Sequence, residues 1–296
     1  MKKASAKSLQ DMMAAYRAVT SDNVIHQLEQ LALPLKGARV LHINSTKQGG
    51  GVAEILHKLI PLKQALGIEA DWEIITGNQD FYECTKGFHN ALQGMRHPIS
   101  DRLLQNYEKT NQENAERLQA KLQDADFVFI HDPQPAPLLH YTHQRQGKWI
   151  WRCHIDASKP YREVWKYLRE WIFPYDASIF SLPEFAQPLP HPQYIIAPSI
   201  DPLSDKNCPL PKNEIQRVYT QFNLDPDLPM LTQISRFDRF KDPLGVIEAF
   251  KLVSKLTPLQ LVLAGGGASD DPEGEAVLNE VRQAANGVSN IHVLLL

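Results

Sequence analysis

A chain of 296 residues is longer than one hydrophobic core usually organises, so two domains are expected. With 43% hydrophobic and 22% charged residues, and only 15 Gly against 21 Pro, it is neither disordered nor collagen-like. A net charge of -3 gives no electrostatic reason to expect nucleic acid or an anionic membrane surface as a partner.

The basic start MKKASAKSLQDMM lacks the apolar stretch of a signal peptide, because Asp11 and its polar neighbours interrupt it. No apolar run approaches the roughly 20 residues that span a bilayer. Residues 8–33 carry apolar side chains at helical spacing, with Ser21 and Asp22 as cap residues between two helices. The run ARVLHI (38–43) then reads as a strand. Gly49 to Gly51 follow it, and VAEILHKLIPLKQAL has helical periodicity and stops at Gly67. Further strands are expected at 68–75, 126–131, 149–155, 176–181 and 193–197, with helices near 100–123 and 160–172. Short apolar strands alternating with helices imply a parallel sheet covered on both faces.

Residues 198–211 hold four prolines and little periodicity, as expected where a chain crosses between domains. The domains are therefore placed at 1–198 and 212–296. The second reads as strand 229–235, helix 242–256 opened by Asp242 and Pro243, strand 259–265, helix 273–285 and strand 290–296. Cys84, Cys153 and Cys208 have no paired spacing, which argues against a disulfide framework or a structural zinc site and fits a reducing cytoplasm.

Ligands of parallel α/β sheets bind beyond the carboxyl ends of the strands, so the residues after each strand carry the chemistry. In STKQGGGVAE (45–54) the glycines allow close backbone approach to a ligand, and the helix N-terminus favours an anion. The spacing is neither GxGxxG nor a P-loop, and a tight structural turn is the alternative. HDPQ (131–134) and RCHID (152–156) mix imidazole with carboxylate at two strand ends. Asp132 and Asp156 there suit a polyhydroxylated ligand, the alternative being that they cap the following loops. His131, His154 and the two aspartates have no recognised metal-ligand spacing, so no metal is expected. In SRFDRFKDP (235–243), Arg236, Arg239 and Lys241 present three cations beside a helix N-terminus, which suits a diphosphate. A solvated loop part-neutralised by Asp238 and Asp242 is the alternative. SDDPEGE (269–275) reads as a surface loop capping a helix, and the glycines of 265–267 as a strand-to-helix turn.

Taken together, LHINSTKQGGGVAEIL, FHNALQG (88–94), HDPQPAPL, WRCHIDAS, PSIDPLSDKN and SRFDRFKDPLGVIEAF resemble the trehalose-forming glycosyltransferring synthases. These are retaining glycosyltransferases of family 4 with the GT-B fold, and the resemblance covers essentially the whole chain. It implies an α/β protein of two Rossmann-like domains with parallel sheets facing each other across a cleft. The first domain would be the acceptor side and the second the nucleotide-sugar side. It also implies transfer of glucose from a nucleotide-diphosphate-glucose to free glucose, with no cofactor beyond that donor and no divalent metal.

Carried over by position, the resemblance places Arg236 and Lys241 on the donor diphosphate, Gly50 and Gly51 against the donor, and His154 at the donor sugar. His154, Arg236 and Lys241 would then be the catalytic set. Asp132, Asp156 and Asn90 would meet acceptor hydroxyls. Partners would be sugars and the nucleotide-sugar, without nucleic acid or membrane, and a homodimer is allowed. The family's later Glu-containing motif has no counterpart before Leu296. The second domain is therefore expected to be incomplete and the activity impaired. Trehalose phosphorylase, or an inactive binding remnant, is the alternative.

Overall fold

The computed structural model describes residues 6–266 and 274–296, which form two compact units, Met1–Asn207 and Cys208–Leu296. The division falls inside the proline-rich stretch. The SDDPEGE reading, the last glycine of 265–267 and the extreme N-terminus lie wholly or mostly outside the described residues.

The first unit opens with α1 (Ala6–Val19) and α2 (Asp22–Ala32). Ser21 is the N-cap of α2 but makes no side-chain cap bond. β1 (Arg39–Asn44) leads through the glycine loop into α3 (Gly51–Ala65), and β2 (Glu69–Ile74) follows. Two helices come next, α4 (Gln79–Leu92) and α5 (Asp101–Asp124), then β3 (Phe127–His131), α6 (Leu138–Tyr141), β4 (Lys148–Arg152), α7 (Arg162–Ile172), β5 (Ala177–Phe180) and β6 (Gln193–Ile195).

The six strands form one parallel sheet in the order β2-β1-β3-β4-β5-β6. The chain runs outward from β1 to β2 and returns past β1 to β3, so the order reverses between β1 and β3. That reversal is a topological switch point, where α/β folds open a crevice at the carboxyl ends of the strands.

Strand alternation divides the side chains between the two faces. Leu41, Ile43, Val128, Ile130, Trp149 and Trp151 join the main apolar core with α4, α5 and α7 residues such as Phe81, Phe88, Tyr107, Leu118 and Leu168. The opposite parity of β1 and β3 carries His42, Phe129 and His131, with His42 and Phe129 directly paired across the strands. Trp149 and Trp151 are fully buried despite their size. At the far end of the unit, Tyr16 Oη donates to Asp201 Oδ1 at 3.0 Å and Lys58 pairs with the same carboxylate at 3.2 Å, tying α1 and α3 to the segment after β6.

Gly147 sits in the turn before β4 against the start of β3. A Cβ there would lie 2.2 Å from the Ala125 carbonyl oxygen and 2.4 Å from that of Asp126, both backbone atoms that cannot rotate away. Gly147→Ala is expected to cost about 2–3 kcal/mol by overpacking, read as a lower urea midpoint by tryptophan fluorescence.

Several elements differ from the sequence reading. β4 stops at Arg152 instead of running to 155, because the Asp132 side chain takes the His154 amide proton that a longer strand would give to β3. α4, α6 and α8 (Lys212–Gln221) are helices that the apolar periodicity does not reveal.

The second unit continues from α8 with β7 (Met230–Ile234), α9 (Pro243–Val253), β8 (Gln260–Gly265), α10 (Gly274–Ala285) and β9 (Ile291–Leu295). Its three parallel strands run β7-β8-β9, and Ile247, Phe250, Leu261, Leu263, Val277 and Val281 form its core. Asp242 is the N-cap of α9 as expected, and its carboxylate accepts from the Gly245 amide at 3.1 Å. No helix of the described residues is long and apolar enough to cross a membrane.

Candidate functional site

The loops after β1, β3 and β4 leave the same carboxyl edge of the sheet, and these strands are consecutive neighbours. Asn44, at the end of β1, accepts from Trp72 Nε1 at 2.8 Å and donates to the Thr46 carbonyl at 2.8 Å, which fixes the base of the glycine loop. Gly50 has φ +78°, a backbone conformation that favours glycine, whereas Gly51 starts α3 without a positive φ. A Cβ on either would meet nothing within 4 Å. Packing within the chain therefore does not require glycine at 51, and the space above it is open.

Asp132, just after β3, holds φ +62°, uncommon for a residue with a side chain. Three bonds hold it there: its amide donates to the Arg152 carbonyl at 2.9 Å, its carbonyl accepts from Trp151 Nε1 at 3.0 Å, and its Oδ1 accepts from the His154 amide at 2.7 Å. The Asp132 carboxylate thus positions His154. Asp156 is half-buried and its Oδ1 accepts from the Ser158 amide at 2.9 Å, the loop-capping role weighed as the alternative.

His154 stands at the end of a hydrogen-bonded row. Lys63 Nζ lies 2.8 Å from His42 Nε2, His42 Nδ1 lies 2.9 Å from His131 Nε2, and His131 Nδ1 lies 2.9 Å from His154 Nε2. The rings meet edge to edge at both histidine junctions, centroids 5.2 Å apart and planes 28° and 17° apart, as in-plane hydrogen bonds require, and His42 stacks on Phe129 at 4.7 Å. Burial, then the positive groups nearby, pushes His42 and His131 well below the usual histidine range. Burial and then Arg152 push His154 down to about 3. Burial pushes Lys63 down to about 8. All three imidazoles are neutral at pH 7, and Lys63 is mostly charged there.

Asn90 lies near the C-terminal end of α4, which reaches the loop after β4 through the Tyr161 amide donating to the Ala91 carbonyl at 2.8 Å. Asn90 is buried and its Oδ1 accepts no hydrogen bond from any described residue. Such an acceptor is costly to leave unmet, so a ligand hydroxyl or a water is its natural partner. Sequence reasoning named His131, His154, Asp132 and Asn90 in this region but missed His42 and Lys63. Their only local signals were one polar residue on a buried strand face and a lysine in a mostly apolar helix.

A cleft of about 750 Å³ along the edge strand β2, bordered by Gln64, Ala70, Trp72 and Lys121, contains none of the residues expected at the site. Among the described residues, no group of three or more His, Cys, Asp and Glu side chains is placed to hold a metal ion.

In the second unit, half-buried Arg236 follows β7. Exposed Lys241 closes the next turn, its amide donating to the Asp238 carbonyl at 3.0 Å and its carbonyl accepting from Gln233 Nε2 at 2.6 Å. Arg239 departs from the three-cation reading. Both its terminal nitrogens meet the Glu280 carboxylate, at 2.8 and 3.1 Å, so its charge is spent on α10. Asp238 is buried and accepts from the Phe240 amide at 2.9 Å, fixing the turn that presents Lys241.

Residues 42–187 match the family described as "Trehalose synthase, N-terminal domain". The chain is 44% identical over 263 residues to the trehalose synthase of Pyrococcus horikoshii, covering 88% of this chain and 63% of that protein. It is 26% identical over 325 residues to the trehalose phosphorylase of Grifola frondosa, covering 92% of this chain and 43% of that one. A solved α,α-trehalose-phosphate synthase from Burkholderia xenovorans superposes with a TM-score of 0.67 at 10% identity, over 87% of this chain and 74% of that structure, a likeness of fold. The chain thus spans less than two thirds of the trehalose synthase it matches. Its residues 42–187 resemble the N-terminal domain of the trehalose synthases, and its two Rossmann-like units share the fold of the trehalose-phosphate synthase.

Proposed function

We propose that this chain carries the sugar-binding edge and part of the nucleotide-binding unit of a cytoplasmic retaining glycosyltransferase that moves glucose from a nucleotide-diphosphate-glucose to glucose, forming trehalose. The observation that carries the reading is the polar group at the β1/β3 switch point. His154 is held there by Asp132, near the expected crevice, in the stretch that matches the trehalose synthase domain. Neither nearby aspartate is poised as a nucleophile, since Asp132 and Asp156 each accept from a backbone amide. A retaining transfer in which the acceptor attacks on the face the nucleotide leaves needs none. Its barrier falls through positioning and through charge that stabilises the departing diphosphate.

In this reading Arg236 and Lys241 take the diphosphate, Gly50 and Gly51 admit the donor, His154 meets the donor sugar, and Asn90, Asp132 and Asp156 face the acceptor. The double variant Arg236→Ala/Lys241→Ala is expected to abolish nucleotide binding by calorimetry, because charge-assisted phosphate contacts are the strong ones. Unchanged affinity would remove the assignment. A finer test is Gly51→Ala. It should leave the fold as stable or slightly more so, by up to about 1 kcal/mol from helix propensity, yet weaken donor binding by filling the open space. Equal donor affinity in this variant would show that the glycine does not face the donor.

The likeness to a trehalose phosphorylase favours a second reading, with inorganic phosphate in place of the nucleotide. Calorimetry with phosphate and with nucleotide-glucose, side by side, separates the two.

A further inference from the structure

We propose that Lys63, in α3 and behind the sheet's switch point, sets the direction of the histidine row so that His154 presents Nδ1–H, a hydrogen-bond donor, to whatever ligand occupies the crevice. The identification of that ligand as a sugar rests on the functional reading above; the direction of the row does not.

The row has three junctions, Lys63 to His42, His42 to His131 and His131 to His154, each 2.8–2.9 Å long and so each holding one proton. A charged lysine only donates. It therefore fills the first junction and leaves His42 Nε2 bare. A neutral imidazole carries one N–H, so the His42 proton must be on Nδ1, where it fills the second junction. The same step repeats at His131, whose proton on Nδ1 fills the third. His154 Nε2 is then an acceptor, and its one proton lies on Nδ1, which has no partner among the described residues.

An extra proton on any ring would crowd two hydrogens into one junction, and burial opposes the charge it would bring. Remove the charge at Lys63 and the opposite order becomes available, with His154 protonated on Nε2 and offering only a lone pair. One ammonium thus decides whether the site gives or takes a hydrogen bond at His154.

The surroundings support this direction. The Lys63 ammonium lies 4.6 Å from the centroid of the Phe129 ring, which stabilises the charged form in a half-buried place. Arg152, buried on β4 opposite His131, disfavours a further positive charge on His131 or His154. Asp132 binds the His154 main chain and so fixes where its side chain leaves the backbone, beside His131. A sugar hydroxyl or ring oxygen would accept from Nδ1–H, and a donor-only group would be rejected. Lys63 is in this sense a positioning residue that acts through three rings without touching ligand.

The test is two-bond proton–nitrogen correlation on the full chain labelled with ¹⁵N-histidine, without ligand, at pH 7, with His154 assigned by its loss in His154→Gln. The expected result is a pyrrole-type Nδ1 and a pyridine-type Nε2 at His154. In Lys63→Met the pattern is expected to reverse or to split between tautomers, and Lys63→Arg, another donor-only cation, to restore it. A pyridine-type Nδ1 at His154 in the unmodified chain would overturn the proposal, whatever the variants do, and so would an unchanged pattern in a folded Lys63→Met. Failure of nucleotide or sugar binding in calorimetry would instead count against the functional reading, so the two are separable.

Discussion

Lowering the pH from 7 to 5 is expected to reduce the unfolding free energy of the first unit, by about 2 kcal/mol through His154 alone, with His42 and His131 acting in the same direction. The cause is the histidine row. Folding takes His42, His131 and His154 from an ordinary histidine pKa to values far lower, about 3 for His154. Between those values the unfolded chain binds more protons than the folded one, so stability falls as the pH drops through 6.5 toward the folded pKa. For His154 the loss is about 1.4 kcal/mol per pH unit in that window.

Lys63 acts in the same sense at higher pH. Its folded pKa, about 8, lies below the ordinary value of 10.5, so stability should rise again as the pH climbs between the two. The lowered carboxylates Asp71, Asp176 and Asp201 matter only below about pH 5. All five tryptophans, Trp72, Trp149, Trp151, Trp165 and Trp171, lie in the first unit. Urea unfolding followed by tryptophan fluorescence at pH 7, 6 and 5 therefore isolates this effect. A flat unfolding free energy across that range would show that the row titrates normally in the folded state.

Trp151→Ala is expected to cost about 3–5 kcal/mol, the usual range for removing a large aromatic from a core. The ring is fully buried between Trp165, with centroids 6.4 Å apart, and Phe180, edge-on at 5.8 Å. The loss reaches the site as well, because Trp151 Nε1 is the donor to the Asp132 carbonyl. Trp151→Phe separates the two roles. It keeps most of the apolar volume and forfeits that bond, for about 1–2 kcal/mol with a buried carbonyl left unmet. The freed Asp132 should relax from its positive φ and release His154, moving the His154 resonances while the fold persists. An unmoved His154 in Trp151→Phe would mean that the Asp132 carboxylate suffices to hold it.

Much of the fold was legible in the sequence because parallel strands buried on both faces are short, continuous apolar runs, and each of the nine expected runs contains a strand. α4 was not, although Phe81, Cys84, Phe88 and Ala91 are buried at helical spacing, because QDFYECTKGFHNAL is broken up by polar and glycine residues. α8 was hidden for a different reason. Ile215, Val218 and Tyr219 do recur at helical spacing, but none of its residues is buried and it is only ten residues long, directly after the proline-rich stretch.

At the site, imidazole and carboxylate directly after a strand were visible at 131–132 and 154–156. The bond from Arg239 to Glu280 joins residues 41 positions apart, and the row from Lys63 to His154 exists only once β1 lies beside β3. Neither relation has a signature in local spacing.

The crossing that creates the switch point also fixes when the site can form. His42 and His131 touch although 89 positions separate them, since α3, β2, α4 and α5 intervene. Closing so long a loop costs entropy before any contact repays it, so this pairing belongs to the late, native side of the folding barrier. Substitutions in the histidine row should then hasten unfolding and leave the folding rate almost unchanged. During synthesis the consequence is a matter of order: His42 and Lys63 emerge early, and the stretch that hides their charges arrives only when the chain has grown past His131 and turned back.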